Sequence, residues 1–311
     1  MSAPLAMRAL LVVAALLTAG TVRAEDDGLL TGTLKTIRDR GTILVGVRAD
    51  AAPFSFRNKG GQPVGFSVDL CHGIAEDAAA ALNRELIEAG SPAWQTGVRI
   101  EYVPVPADAR LQMVASGAVD IECSSTTANA ERSKTVAFSP VFFLAGTKLL
   151  VPADASVPSY RALAGKTVAV NAGTTNAAVV HKLAGSVTPP IVVTEFASLD
   201  AAYDALAAGR AQALASDDIL LIGEMARRGT AAKFRVAGDY LSYEPYAITI
   251  RKDDPDFATL VQRSFGRMAA DGVLRSTYDR WFMDRLPNGE RLGLPMSAHL
   301  SEMYRGLGQP D

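Results

Sequence analysis

The chain carries one pattern twice, and that repetition restricts its fold more than any other feature. The first copy runs from Gly41-Thr-Ile-Leu-Val-Gly-Val-Arg48 to Asp108-Ala-Arg-Leu-Gln-Met-Val-Ala-Ser-Gly117-Ala-Val-Asp-Ile121. The second runs from Gly165-Lys-Thr-Val-Ala-Val-Asn171 to Asp200-Ala-Ala-Tyr-Asp-Ala-Leu-Ala-Ala-Gly209-Arg-Ala-Gln-Ala213. Each copy reads as an apolar strand, then a helix stopped by glycine, then a second apolar strand. Each ends in a polar cluster, Ser124-Ser-Thr-Thr127 in one and Ser216-Asp-Asp218 in the other. Two similar α/β lobes are expected, each a mostly parallel sheet flanked by helices. Open sheets of this kind bind ligands beyond the carboxyl ends of their strands, which directs attention to a cleft between the lobes.

A leader precedes the repeats. Arg8 is followed by an apolar run over 9–19 and then by Val22-Arg-Ala24, the small-residue spacing of a signal-peptidase site, so 1–24 is read as a signal peptide cut after Ala24. The apolar run is shorter than the ~20 residues of a membrane span, and a freely diffusing exported protein is expected. Loss of Arg8 and Arg23 lowers Lys plus Arg from 31 to 29 against 33 acidic residues, a formal charge of −4. With that balance and no basic stripe, nucleic acid is not an expected partner. Cys71 and Cys123 are the only cysteines. In an oxidising compartment such a pair allows a disulfide, the alternative being two buried thiols that act as small hydrophobes.

Periodicity predicts a helix over 70–89, a strand over 98–105, a helix over 107–116 and a buried strand over 119–123. Apolar segments at 138–146, broken by Pro140 and Gly146, and at 243–250, broken by Pro245, read as two crossings between lobes. The expected division is 33–141 plus 248–285 for the first lobe, 147–242 for the second, and 142–146 with 243–247 for the hinge. The tail, 286–311, is expected to pack on a lobe, with partial disorder as its alternative. Paired crossings let two lobes close on a ligand as rigid bodies.

Several side chains suit an amino-acid-like zwitterion. Ser125, Thr127 and Arg132 lie in a polar loop at a strand end, where hydroxyls and a planar guanidinium can grip a carboxylate. Helix capping by Thr127, with Arg132 on a solvated face, is the alternative. Asn171-Ala-Gly-Thr-Thr175 presents backbone N–H groups at a helix start, with Thr174 or Thr175 as cap. It lacks the Gly-Lys-Ser/Thr ending of a nucleotide loop. Asp217 can receive an ammonium group, or Asp217 or Asp218 can cap the following helix. Arg48 and Arg110 point toward the same cleft mouth unless they pair with Asp50 and Asp108. With Arg132 they exceed what one α-carboxylate needs, which favours an acidic ligand side chain. Phe54 is expected either to wall the cleft or to pack in the core. His72, His181 and His299 show no metal spacing, and neither a Gly-x-Ser-x-Gly elbow nor a cofactor motif is present.

Taken together, Val45-Gly-Val-Arg-Ala-Asp-Ala-Ala-Pro-Phe-Ser-Phe56, Phe66-Ser-Val-Asp69, Asp120-Ile-Glu-Cys-Ser-Ser-Thr-Thr-Ala-Asn-Ala-Glu-Arg132, Ala172-Gly-Thr-Thr175 and Ser216-Asp-Asp-Ile-Leu220 resemble the periplasmic solute-binding proteins of polar amino acid ABC transporters. Within them the likeness is to the glutamate/aspartate-binding group, and it covers 33–304. The resemblance implies the two-lobed type II periplasmic binding protein fold, a periplasmic location, a monomer, an ABC permease as partner and no cofactor. It also implies that Arg132, Ser125, Thr127 and Thr174 hold a ligand α-carboxylate, Asp217 the ammonium, and Arg48 and Arg110 a side-chain carboxylate. Ala107, Leu199 and Asn171 depart from that group, standing at or near positions of a serine, a histidine and a threonine. Glutamate or aspartate is the expected ligand, with glutamine or asparagine as the alternative. A dehydratase-like enzyme using Glu122 or Glu244 and a ligand sensor acting in trans are rivals on the same scaffold.

Overall fold

The computed structural model describes residues 30–87 and 97–310, so the leader read at 1–24 lies outside the described residues. The first sheet has six strands in the order Leu86–Ile87, Val98–Pro104, Thr42–Val47, Ile121–Cys123, Thr249–Arg251, Val136–Phe138. The first four run parallel, and Thr249–Arg251 is antiparallel to both its neighbours. The second sheet has five, in the order Val192–Phe196, Thr167–Asn171, Ala213–Asp217, Thr147–Pro152, Phe234–Ala237. Its first three are parallel and Thr147–Pro152 is again antiparallel to its neighbours. In both sheets the strand that opens the repeat, Thr42–Val47 or Thr167–Asn171, has a parallel strand on either side. The antiparallel strand beside them comes directly after a crossing.

The crossings pair with each other as a two-stranded ribbon, Phe143–Ala145 against Glu244–Tyr246. Its rings join a buried aromatic cluster in which Phe54 lies 4.9 Å from Phe143 and 5.1 Å from Tyr246, with Phe66 and Phe282 close by. Edge-to-face and offset ring pairs of this kind add ~0.5–1.5 kcal/mol each beyond the area they bury. The hinge is thereby anchored in the first lobe. The tail returns over the same region: in the helix Ala298–Gly306, Tyr304 donates to the carbonyl of Phe142 at 2.8 Å. Asn288 donates to the carbonyl of Ala226 at 3.0 Å, near the end of the second-lobe helix Asp218–Arg228.

The predicted helix over 70–89 is shifted, spanning Phe66–Ala81. It begins early because Gly65, at φ 142, lies where a Cβ would meet the carbonyl oxygen of Phe54 at 2.2 Å, and only glycine permits that entry. It stops early because Asn83 adopts φ 53, a left-handed conformation that asparagine tolerates, while the N–H of Arg84 closes back on the carbonyl of Ala79. The helix expected over 107–116 begins at Arg110, after a turn in which Ala109 donates to Pro106.

Cys71 on the first of these helices and Cys123 at the end of a central strand form a disulfide, with Cα atoms 6.2 Å apart. The bridge closes a loop with a sequence separation of 52. Cross-links of this span restrict the unfolded chain, and their removal costs typically ~2–4 kcal/mol. The Cys71→Ser/Cys123→Ser double variant is expected to lose about that much, measured as a lowered urea midpoint. An unchanged midpoint would contradict a stabilising bridge.

Candidate functional site

The carboxyl ends of the two sheets face one another, and the lobes touch. Gly173, at φ +71, is pressed so close to the first lobe that a Cβ there would lie 2.4 Å from the Cα of Asp108. Gly223 meets the first lobe from the second-lobe helix Asp218–Arg228, where a Cβ would lie 2.1 Å from the carbonyl oxygen of Ala52. Between these contacts is a cavity of about 10 Å³, room for about one water. That is far below the ~300–1,000 Å³ seen for small-molecule sites. Arg48, Arg110, Ser125, Thr127, Asn171, Thr174 and Asp217 all line it, brought together from both lobes as the cleft reading required. Thr175, Asn176, Leu199, Ser216 and Leu220 complete the wall.

The two arginines behave differently. Arg48 follows the strand Thr42–Val47, and its Nε and Nη2 donate to one oxygen of Asp50 at 3.0 and 2.7 Å. The same Nη2 donates to Asn171 of the second lobe at 3.1 Å. The pairing with Asp50 raised as an alternative is therefore present, and Arg48 does not offer an unengaged fork. Burial opposes the charge on Asp50, but Arg48 and the Leu199 N–H together hold its carboxyl below the ordinary value. Arg110 begins the helix Arg110–Ser116 and is 2% exposed. Its Nε and Nη1 have no hydrogen-bond partner among the described residues, and it forms no pair with Asp108 there. Burial pushes its pKa down to about 9, with Glu122 opposing the shift and the positive Arg132 and Arg48 adding to it. A buried guanidinium left this way is costly unless an anion meets it.

Asp217 ends the strand Ala213–Asp217 and makes no side-chain cap to the helix that follows. Asp218, the first residue of that helix, accepts the N–H of the adjacent Ile219 at 2.8 Å, which is not a cap. One oxygen of Asp217 accepts from Asn176 at 2.7 Å and the other from the Tyr246 hydroxyl at 2.5 Å. Burial, followed by the nearby Glu244, raises its pKa to about 7 despite those two hydrogen bonds. Thr174 caps the helix Thr175–Ala184 by accepting from Ala177 at 3.2 Å, and donates to the carbonyl of Asn171 at 2.7 Å.

Ser125 is buried, and its hydroxyl has no partner among the described residues. Thr127 donates to Glu244 at 2.6 Å, and Thr175 of the other lobe donates to the same oxygen at 2.7 Å. Glu244 on the second crossing thus receives hydroxyls from both lobes. Two expected positions differ. Arg132 does not line the cavity; its Nη1 donates to the carbonyl of Thr127 at 2.9 Å, leaving it one contact away. Burial lowers its pKa, while Glu244, Glu122 and Asp217 oppose that shift. Phe54 is not a wall of the cavity either. It is fully buried in the hinge aromatics, because its partners Phe66, Phe143 and Tyr246 offer more apolar surface than the polar cleft.

Tyr246, Asn176 and Asp50 are site residues that pattern reading missed or left as mere partners. A signal for the first existed. Glu244 and Tyr246 are two apart in a strand and so share a face, and both are polar in an otherwise apolar crossing. Glu122 and Glu244, the acids an enzyme would need, do not line the cavity; Glu122 accepts from Ser124 and from Thr126.

Comparison with known proteins follows the same lines. The chain is 35% identical over 294 residues to a Pseudomonas aeruginosa protein named L-glutamate/L-aspartate-binding protein, covering 94% of this chain and 92% of that one. It is 30% identical over 297 residues to the Escherichia coli glutamate/aspartate import solute-binding protein, covering 95% and 94%. The crystal structure of a mutant of ArgBP from T. maritima superposes with a TM-score of 0.69 at 29% identity, covering 81% of this chain and 100% of that chain. These neighbours share the type II periplasmic binding protein fold. Residues 43–284 match the model of one family, and the chain belongs to it: the bacterial extracellular solute-binding proteins, family 3.

Proposed function

We propose that this protein captures an acidic amino acid, L-glutamate or L-aspartate, in the periplasm and delivers it in the closed form to an ABC permease. The observation that carries the reading is Arg110, a buried cation on the cavity wall whose Nε and Nη1 lack partners among the described residues. A ligand side-chain carboxylate would supply what Arg110 lacks. The names of the Pseudomonas and Escherichia relatives support the same ligand class. In this reading the α-carboxylate takes the hydroxyls of Ser125 and Thr127 and the start of the helix Thr175–Ala184, a terminus that favours anions, with Arg132 adding positive charge from behind Thr127. Asp217 receives the ammonium. Contacts from both lobes favour closure, since a ligand shifts that equilibrium only by binding one state better.

Calorimetry of the refolded, ligand-stripped mature protein tests the reading directly. Tight 1:1 binding of L-glutamate or L-aspartate, with L-glutamine and L-asparagine much weaker, is expected. Preference for the amides would overturn the acidic assignment, and turnover of a cyclic carboxylate without a stable complex would favour an enzyme instead. Arg110→Ala should weaken acidic ligands by about ten- to a hundredfold, the equivalent of one charge-assisted contact of ~1.5–3 kcal/mol, and affect amides less. Equal loss for glutamate and glutamine would contradict the side-chain role.

Arg110→Met is expected to stabilise the ligand-free protein by ~1–3 kcal/mol, because it removes a buried group without a partner. Urea unfolding of stripped samples measures this, and a destabilised variant would mean that Arg110 is satisfied without ligand. Titration of Asp217 predicts a pH dependence. Its ligand-free pKa of about 7 must fall when an ammonium binds, so affinity should be level above that pH. Below it, affinity should drop by up to about tenfold per unit, with a proton released on binding. Binding heats in buffers of different ionisation enthalpy count that proton; no release near pH 6 would exclude Asp217 as the titrating group.

A further inference from the structure

Besides Glu244, a second carboxylate inside the closed molecule is held by both lobes. Asp50 lies in a short first-lobe strand, Asp50–Ala51, paired with Ser55–Arg57, and it is buried. One of its oxygens takes both the Nε and the Nη2 of Arg48. The other accepts the N–H of Leu199 at 2.7 Å, the first residue of the second-lobe helix Leu199–Ala207. That N–H is one of the donors a helix cannot satisfy internally, and the helix N-terminus favours an anion. Ser198, the residue before it, is already engaged with the N–H of Ala201. Asp50 therefore occupies from within the kind of place a ligand anion takes. Arg48 and Leu199 both line the cavity, and Arg48 also reaches Asn171 across the gap. Arg110, on the same wall, forms no ion pair among the described residues.

We propose that Asp50 is a specificity-determining residue: an internal carboxylate that engages Arg48 and the Leu199 N–H in the closed form, ties the lobes together, and leaves Arg110 to read the ligand side chain. The selectivity half of this inference rests on the acidic-ligand reading above; the closure half requires no ligand. A cavity built this way is matched to one side-chain carboxylate. Two unengaged guanidinium groups would attract negative charge more strongly and discriminate more sharply against a neutral amide.

Asp50→Asn keeps the shape and an acceptor while removing the charge, and Asp50→Ala removes both. Leu199→Pro deletes the N–H from the other lobe at a helix position where proline is well accommodated, following a residue already extended at φ −145 and ψ 160. Small-angle X-ray scattering of ligand-stripped samples reads closure without ligand. Asp50→Ala and Leu199→Pro should both show a larger radius of gyration than wild type, and superimposable curves for all three would overturn the tie between lobes. Calorimetry reads selectivity. The ratio of L-glutamate to L-glutamine affinity should rise by about tenfold in Asp50→Asn, the step that ~1.4 kcal/mol represents. An unchanged or lower ratio would overturn the assignment of specificity to Asp50. A wild type that binds neither ligand would overturn that half together with the acidic-ligand reading, while the scattering result still decides whether Asp50 ties the lobes.

Discussion

Charge brought out of water at the carboxyl ends of two facing sheets governs the centre of this molecule. Each lobe delivers titratable groups to the same small volume, Arg48 and Arg110 from one and Asp217 from the other, with Glu244 of the crossing behind Thr127 and Thr175 on its wall. Removing such groups from water is expensive, and the expense is offset only where a partner with good geometry stands opposite. The interlobe contacts follow from that requirement. Arg48 finds Asp50 and Asn171, Asp50 finds the N–H of Leu199, and Glu244 draws Thr127 and Thr175 together. Of the two cavity arginines, Arg110 is the one left without such a pairing among the described residues.

The hinge works on a different principle. Its two strands pair antiparallel, and its side chains combine aromatic packing with polar contact. Phe143 and Tyr246 pack with Phe54, while the Tyr246 hydroxyl reaches Asp217. A single residue thus connects the apolar support of the first lobe to the buried Asp217 on the second. Rigid apolar support beneath a polar site is what keeps such groups in position when lobes move.

Much of this was legible from the chain. The repeat foretold two sheets of like order, and the polar clusters at 124–127 and 216–218 foretold where their ends would meet, because strand period and strand direction fix which residues reach the carboxyl edge. Local conformation was harder. The first long helix stops at Asn83, where a left-handed turn overrides an alanine-rich stretch that favours continuing. The roles of Arg48 and Arg110 differ for a reason no local pattern contains: Asp50, two residues from Arg48, also meets Leu199, which is 149 residues away from it in sequence. The aromatic Phe54 was ambiguous for the same reason, since the rings that surround it come from 66, 143, 246 and 282.

The exchange of strands at the crossings has a bearing on synthesis. All five strands of the second sheet lie between Thr147 and Ala237, so an emerging chain holds everything that sheet needs before its last segments appear. The first sheet is different: Thr249–Arg251 separates Ile121–Cys123 from Val136–Phe138 and must arrive before the earlier strands can be joined across it. The lobe that is begun first is therefore the one that must wait. Its edge cannot be completed until Thr249–Arg251 has been made, so the order in which the two sheets can be completed runs against the order of translation.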